Sequence, residues 1–188
     1  MHNKTFFTSD NHFSHKRIQE FCPLTRFGSD VLDMNERMVA AWNAKVPEDG
    51  VVWCLGDFSF GGKDSALSYI KRLNGTKHLV YGNHDKIIRK NADLRSCFAS
   101  TQEYKEISVD GIAVIMFHYP IREWNHMHHG AFHLYGHVHG GFDKAPLGRS
   151  MDVGIDTRFD MAPWSWVEIK AKLELMEIRP HHGGFRET

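Results

Sequence analysis

The stretch Lys77-His78-Leu79-Val80-Tyr81-Gly82-Asn83-His84-Asp85 decides how this chain is read. Its first five residues form a short run rich in β-forming side chains, and a polar tetrapeptide follows at once. The same arrangement recurs on both sides. Residues 51–55 (Val-Val-Trp-Cys-Leu) run into Gly56-Asp57, and residues 132–135 run into Gly136-His137-Val138-His139. Residues 4–8 run into Ser9-Asp10-Asn11-His12, and residues 112–117 into His118. Apolar runs of this length fit strands buried on both faces. Ligand sites in open α/β sheets lie at the carboxyl ends of strands. Five strand ends carrying Asp, His and Asn are therefore expected to converge on one crevice.

Between these runs the pattern turns helical. Val31, Met34, Met38, Ala41 and Trp42 recur at helical spacing and predict a helix over 31–45, with Ser29 or Asp30 as its cap. A helix is expected over 64–73, ended by Asn74-Gly75, and a short one from Asp85 to about Ala92. Strands are expected over 103–108 and 112–117, joined at the hairpin dipeptide Asp110-Gly111, and over 151–155. A final helix is expected over 163–176, with Ser165 and Glu168 in capping-box spacing. The tail His181-His182-Gly183-Gly184 reads as loose. Strands alternating with helices, then a β-rich second half, predict an α/β or α+β layered fold in a single domain over 1–188.

Composition narrows the function. At 188 residues with 41% hydrophobic and 24% charged side chains, the chain reads as an ordinary globular protein able to bury a core. Lys plus Arg and Asp plus Glu both number 23, so the formal net charge is zero. That argues against life on bulk nucleic acid, which calls for a basic face. Cys22, Cys54 and Cys97 are odd in number and lack CxxC spacing, which predicts reduced thiols and a cytoplasmic setting rather than disulfides or a Cys-type zinc site. The start carries no long apolar stretch, so neither a signal peptide nor a membrane span is expected. Fourteen histidines, skewed towards the later part of the chain, are a weak hint of metal.

The residue types at the five strand ends carry chemistry. Imidazole and carboxylate together suit divalent manganese, iron, zinc, cobalt or nickel. Asp10 and Asp57 lower the net charge of a two-metal cluster, and one Asp can bridge both ions. Two ions about 3.5–4 Å apart activate a water and hold both the attacking and the leaving oxygen, so no protein nucleophile is required. A histidine outside the ligand set can protonate the leaving oxygen. His84 is the candidate, with Asp85 beside it to orient the ring. His15 and Arg122 are candidate substrate contacts, weighed against ordinary surface positions. His126, His128, His129 and His133 read as loop and strand surface. Trp42, Trp53, Trp164 and Trp166 read as packing residues.

The ordered set Asp10-x-His12, Gly56-Asp57, Gly82-Asn83-His84-Asp85, His118 and Gly136-His137-x-His139 resembles the signature of the calcineurin-like metallophosphoesterases. Thr8-Ser9-Asp10-Asn11-His12-Phe13, Met34-Asn35-Glu36 and Arg72-Leu73-Asn74-Gly75 resemble a compact bacterial and phage-type branch of them. The resemblance implies a four-layer α/β/β/α sandwich with two mixed sheets. It implies one divalent metal held by Asp10, His12, Asp57 and His139, and a second held by Asp57, Asn83, His118 and His137. Asp57 would bridge, and His84 would act on the leaving group or the phosphoryl oxygens. Where that branch often carries Arg-Pro-Phe, this chain has Thr25-Arg26-Phe27, and Arg26 is a candidate substrate contact.

The expected activity is a metal-dependent phosphoesterase on a small phosphorylated substrate, with a phosphodiester or nucleotide-type compound preferred and manganese the ion expected to work in vitro. The alternatives are a phosphomonoesterase or protein phosphatase of the same fold, and a metal-binding scaffold without catalysis.

Overall fold

A computed structural model describes residues 4–142 and 147–180; the histidine-glycine tail lies outside the described residues. In chain order the elements are β1 (Thr5–Thr8), α1 (Ile18–Phe21), α2 (Val31–Lys45), β2 (Val51–Cys54), α3 (Lys63–Arg72), β3 (Thr76–Val80), α4 (Lys86–Lys90) and α5 (Ala92–Arg95). There follow β4 (Ser100–Gln102), β5 (Tyr104–Val109), β6 (Ile112–Phe117), β7 (Phe132–Tyr135), β8 (Ser150–Asp152), β9 (Trp164–Ser165) and α6 (Trp166–Leu173).

The strands form two mixed sheets. The first has the order β4-β3-β2-β1-β9, parallel except for β9, which runs antiparallel to β1 with Phe7 opposite Trp164. The second has the order β5-β6-β7-β8, with the β5–β6 hairpin antiparallel and the rest parallel.

Alternation along the strands builds the layers. Phe6, Val52, Cys54 and Leu79 face a core shared with α2 and α3, which contribute Met34, Met38, Trp42 and Ile70. Phe7, Trp53, Leu55 and Val80 face the opposite way, onto Val114, Met116, Phe132 and Leu134 of the second sheet. This double burial explains the unbroken apolar run 51–55. Trp166 of α6 packs on Phe7 and Phe132, with ring centroids 6.2 and 5.7 Å apart, and so closes the gap between the sheets. The outer face of the second sheet is covered by Trp124, Met127 and Ala131, carried on a segment whose regular structure is one 3-10 turn. The outermost layer on that side is thus thin. All four tryptophans expected to pack are buried.

Several boundaries differ from the sequence reading. The expected helix 163–176 starts at Trp166, because Ser165 takes the extended conformation of an N-cap and pairs with Phe6 while doing so. Beyond Asp152 the expected strand 151–155 becomes a 3-10 turn over Ile155–Thr157. The short helix after Asp85 breaks at Asn91, whose backbone is extended and whose side chain donates to the Ile87 carbonyl at 2.7 Å. His133, read as surface, is fully buried because its odd position in β7 places it beneath Trp124.

The two sheets meet at the carboxyl ends of their parallel strands. Ser9, just past β1, bridges to Gly154, just past β8, and the Ile155 amide donates to the Ser9 carbonyl at 3.2 Å. The Gly136 amide donates to the His118 carbonyl at 2.9 Å, which ties the ends of β6 and β7. Every loop that carries a proposed ligand therefore starts from one seam. Among the described residues, no helix is long and apolar enough to cross a membrane.

Candidate metal centre

The loops at the seam turn in an unusual way. Asp10, His12, Asp57, His137 and His139 all have left-handed backbone, with φ of 55°, 50°, 53°, 72° and 48°. Such a conformation costs a non-glycine residue about 1 kcal/mol or more, and Asp, Asn and His tolerate it best. Five such residues at one seam mark a place where side-chain direction outweighs backbone comfort. Two glycines make the packing possible. A Cβ on Gly136 would overlap the Ser9 hydroxyl and the Asp10 carboxylate, and one on Gly82 would overlap the Asp57 side chain and amide.

The sequence-predicted ligands fall into two groups, and His139 also lies in a third cluster with Cys22 and Asp156. Asp10, His12 and His139 place one donor atom each within 4.8 Å of one another, and so do Asp57, His118 and His137. Asp57 stands between the groups: its Oδ2 is 3.9 Å from His12 Nε2 and 3.6 Å from His118 Nε2. His12 Nε2 is 3.6 Å from Asp10 Oδ1, and His139 Nε2 is 3.9 Å from the same oxygen. These separations are too long for hydrogen bonds. They suit donors that share an ion, since two donors each about 2.1 Å from one ion lie at most about 4.2 Å apart.

Unpaired atoms show that the donors fit a cation. Asp10 Oδ1 is buried without a hydrogen-bond partner, while Oδ2 accepts from the His137 amide at 2.8 Å. Buried carboxylate oxygens are normally paired. His118 Nδ1 lies 2.7 Å from the Leu55 carbonyl and must carry the proton there. In the neutral ring Nε2 is then a bare lone pair, 3.0 Å from Asn83 Oδ1 and 3.6 Å from Asp57 Oδ2. Three acceptors facing one point call for a positive charge between them. A borderline divalent ion matches this N/O set.

Electrostatics follow from burial and these neighbours. Burial works against ionising Asp10, yet His12 and the other imidazoles hold its carboxyl below the ordinary value. Burial lowers His12 and His137, which favours the neutral ring a metal needs. His139 is also disfavoured as a cation by burial, but Asp156, with Cys22 and Asp10, raises it to about 10.

The remaining site residues divide. His84 is exposed at the mouth; its amide donates to Asp57 Oδ1 at 2.8 Å, and its ring rests against Phe60 at 4.5 Å. Asp85 does not orient that ring. It is fully buried, and its carboxylate accepts from the amides of Gly82, Asp57 and Phe58 at 2.7–2.9 Å, stapling the two ligand loops together. Burial raises it to about 6 in spite of those three donors. His15 sits at the rim, 4.1 Å from the Phe60 ring and 5.7 Å from His12. Arg26 is no substrate contact: its side chain is fully buried and is spent on Asp156 and on the Asp10 and Asn11 carbonyls. Arg122 is exposed and borders a cavity of about 210 Å³ with Tyr135 and Phe142, outside both donor groups.

Asp156, Cys22 and Phe60 escaped the sequence reading. Asp156 Oδ2 lies 2.6 Å from His139 Nδ1, and Cys22 Sγ lies 3.8 Å from the same atom.

Two mixed sheets face to face, with the donor blocks in order on the loops where their strands end, is the arrangement that the sequence resemblance implies. The chain is an α/β sandwich of two mixed sheets. No family model matches it. Gene 66 protein of Mycobacterium phage L5 is 27% identical over 95% of this chain and 95% of its own. A protein of unknown function from Aquifex aeolicus, AQ665, shares the fold at a TM-score of 0.70, with 23% identity over 89% of this chain and 98% of that chain. Yfce, a phosphoesterase from E. coli, overlaps at a TM-score of 0.37, with 18% identity over 72% of this chain and 69% of that chain.

Proposed function

We propose that this chain is a calcineurin-like, metal-dependent phosphoesterase that hydrolyses a small phosphodiester. One observation carries the reading: the Asp57 carboxylate stands between two groups of metal-type donors, 3.9 Å from His12 Nε2 and 3.6 Å from His118 Nε2. Asp10, His12, Asp57 and His139 would hold one divalent ion, and Asp57, Asn83, His118 and His137 the other. Bound there, the pair supplies Lewis acidity that activates a water and draws charge from the phosphoryl oxygens. Manganese is the ion proposed for work in vitro.

The protein's own part is positioning and proton transfer. The left-handed loop residues aim the donors toward one place, the kind of preorganisation that lowers the cost of reaction. His84 presents an exposed imidazole at the mouth and gives its proton to the leaving oxygen. Phe60 packs against one side of that ring, with ring centroids 4.5 Å apart. Asp85 keeps the Asp57 and Asn83 loops in register through main-chain bonds.

A formal net charge of zero supports a small, nucleotide-sized substrate rather than a long polymer. Three free cysteines support a reducing, cytoplasmic setting. The test is turnover of matched chromogenic substrates, a bis-aryl phosphate and an aryl phosphate, with manganese. Faster hydrolysis of the diester is expected. Hydrolysis of the monoester alone would replace the diester reading with a phosphomonoesterase.

A further inference from the structure

We propose that Asp156, locked by Arg26, is the positioning residue of the first donor group and makes that group the tighter of two cation sites. This rests on reading the two donor groups as metal sites.

Asp156 is held from three directions. Arg26 Nε donates to its Oδ1 at 2.7 Å and Nη2 to its Oδ2 at 2.6 Å, while the Thr25 hydroxyl donates to Oδ1 at 2.7 Å. The same guanidinium donates to the carbonyls of Asp10 and Asn11. Arg26 therefore ties the loop after β1 to the turn after β8. From that fixed place Asp156 Oδ2 accepts the His139 Nδ1 proton at 2.6 Å. The bond fixes the tautomer, turns Nε2 toward Asp10 and makes the imidazole more basic. Because Arg26 and Thr25 occupy Asp156, its role toward the ion runs through His139.

The second group has no such support. His118 Nδ1 donates to a neutral carbonyl, that of Leu55. The His137 ring is exposed and makes no hydrogen bond to a described residue. Asn83 is an uncharged donor, whereas the first group has the Asp10 carboxylate to itself. Charge and orientation both favour the first group.

The test is calorimetric titration of the full chain, stripped with chelator, with manganese alone. Two ions per chain are expected, in classes about tenfold or more apart in Kd. His137→Ala should delete the weaker class and spare the tighter. Asp156→Asn should weaken the tighter class by about 10–100-fold and leave the weaker class unmoved. If Asp156→Asn fails to fold, Thr25→Val, which removes one bond to Asp156, should weaken the tighter class by about threefold. Two equal classes, loss of the tighter class in His137→Ala, or equal weakening of both classes in the Asp156 or Thr25 variant would overturn the proposal while leaving the metal centre standing. Absence of any bound ion would overturn both.

Discussion

His133 is a fully buried histidine outside the site, and its two nitrogens are both in use. Nδ1 faces the Ile115 carbonyl at 3.1 Å, and Nε2 accepts from the Ile121 amide at 3.2 Å. Only the neutral ring with its proton on Nδ1 satisfies both. A second proton would set N–H against N–H in a place closed to solvent, and burial lowers the group to about 4. As pH falls through the ordinary value of about 6.5, the unfolded chain takes up a proton that the folded chain refuses. Stability is whole above that pH and declines down to about 4, a loss of about 3 kcal/mol in all. Urea midpoints taken between pH 7 and 4.5 should fall less steeply for His133→Asn than for the native chain; equal slopes would refute the assignment. At this scale the proposed ligands were legible, because Asp, His and Asn after apolar runs have few other uses together. The supports were not. Asp156 reaches His139 across 17 positions, and Arg26 reaches Asp156 across 130. Neither spacing follows from any local pattern. Asp85 was misread because its neighbour in sequence is His84 while its partners are amides of two loops.

Elements with a clear period were read well. The 31–45 helix is found over those residues, and its Asp30 carboxylate accepts from the Leu32 and Asp33 amides as a cap should. The capping box at Ser165 is also present: its hydroxyl accepts from the Glu168 amide at 3.3 Å, and Glu168 accepts from the Ser165 amide at 2.7 Å. Ser165→Ala should therefore destabilise the fold by about 1 kcal/mol, seen as a lower denaturant midpoint with activity retained. No change in midpoint would mean that α6 is held by Trp166 and its packing alone. The missed elements are short and depend on neighbours. β4 is the polar triplet Ser-Thr-Gln, a strand only because β3 offers it an edge. β9 spans two residues and exists because β1 lies beside it. Propensity cannot reveal a strand whose pairing partner lies some 160 residues earlier.

On the scale of the whole molecule, folding brings five loops from two sheets to one seam and sets unpaired acceptors face to face. In the proposed reading, a divalent ion would sit between those acceptors and stabilise the folded chain. An ion that binds the folded chain alone adds about 2.7 kcal/mol at a hundred times its Kd. For a chain of this size the melting temperature should rise by about 5–10 °C when manganese is added to chelator-treated protein. An unchanged melting curve would count against the centre. The layered fold was legible from alternating strand and helix signals, whereas the thin outer cover on the second sheet was not, since its segment has little regular structure. The most direct test of the central claim is hydrolysis of a bis-aryl phosphate by the native chain, His84→Ala and Asp57→Asn, with bound manganese counted in each. The account predicts no turnover in chelator, turnover restored by manganese, a rate lower by about 100-fold or more in His84→Ala with the metal count unchanged, and loss of both turnover and bound metal in Asp57→Asn. Equal turnover in chelator, or a His84→Ala chain that works at the native rate, would contradict it.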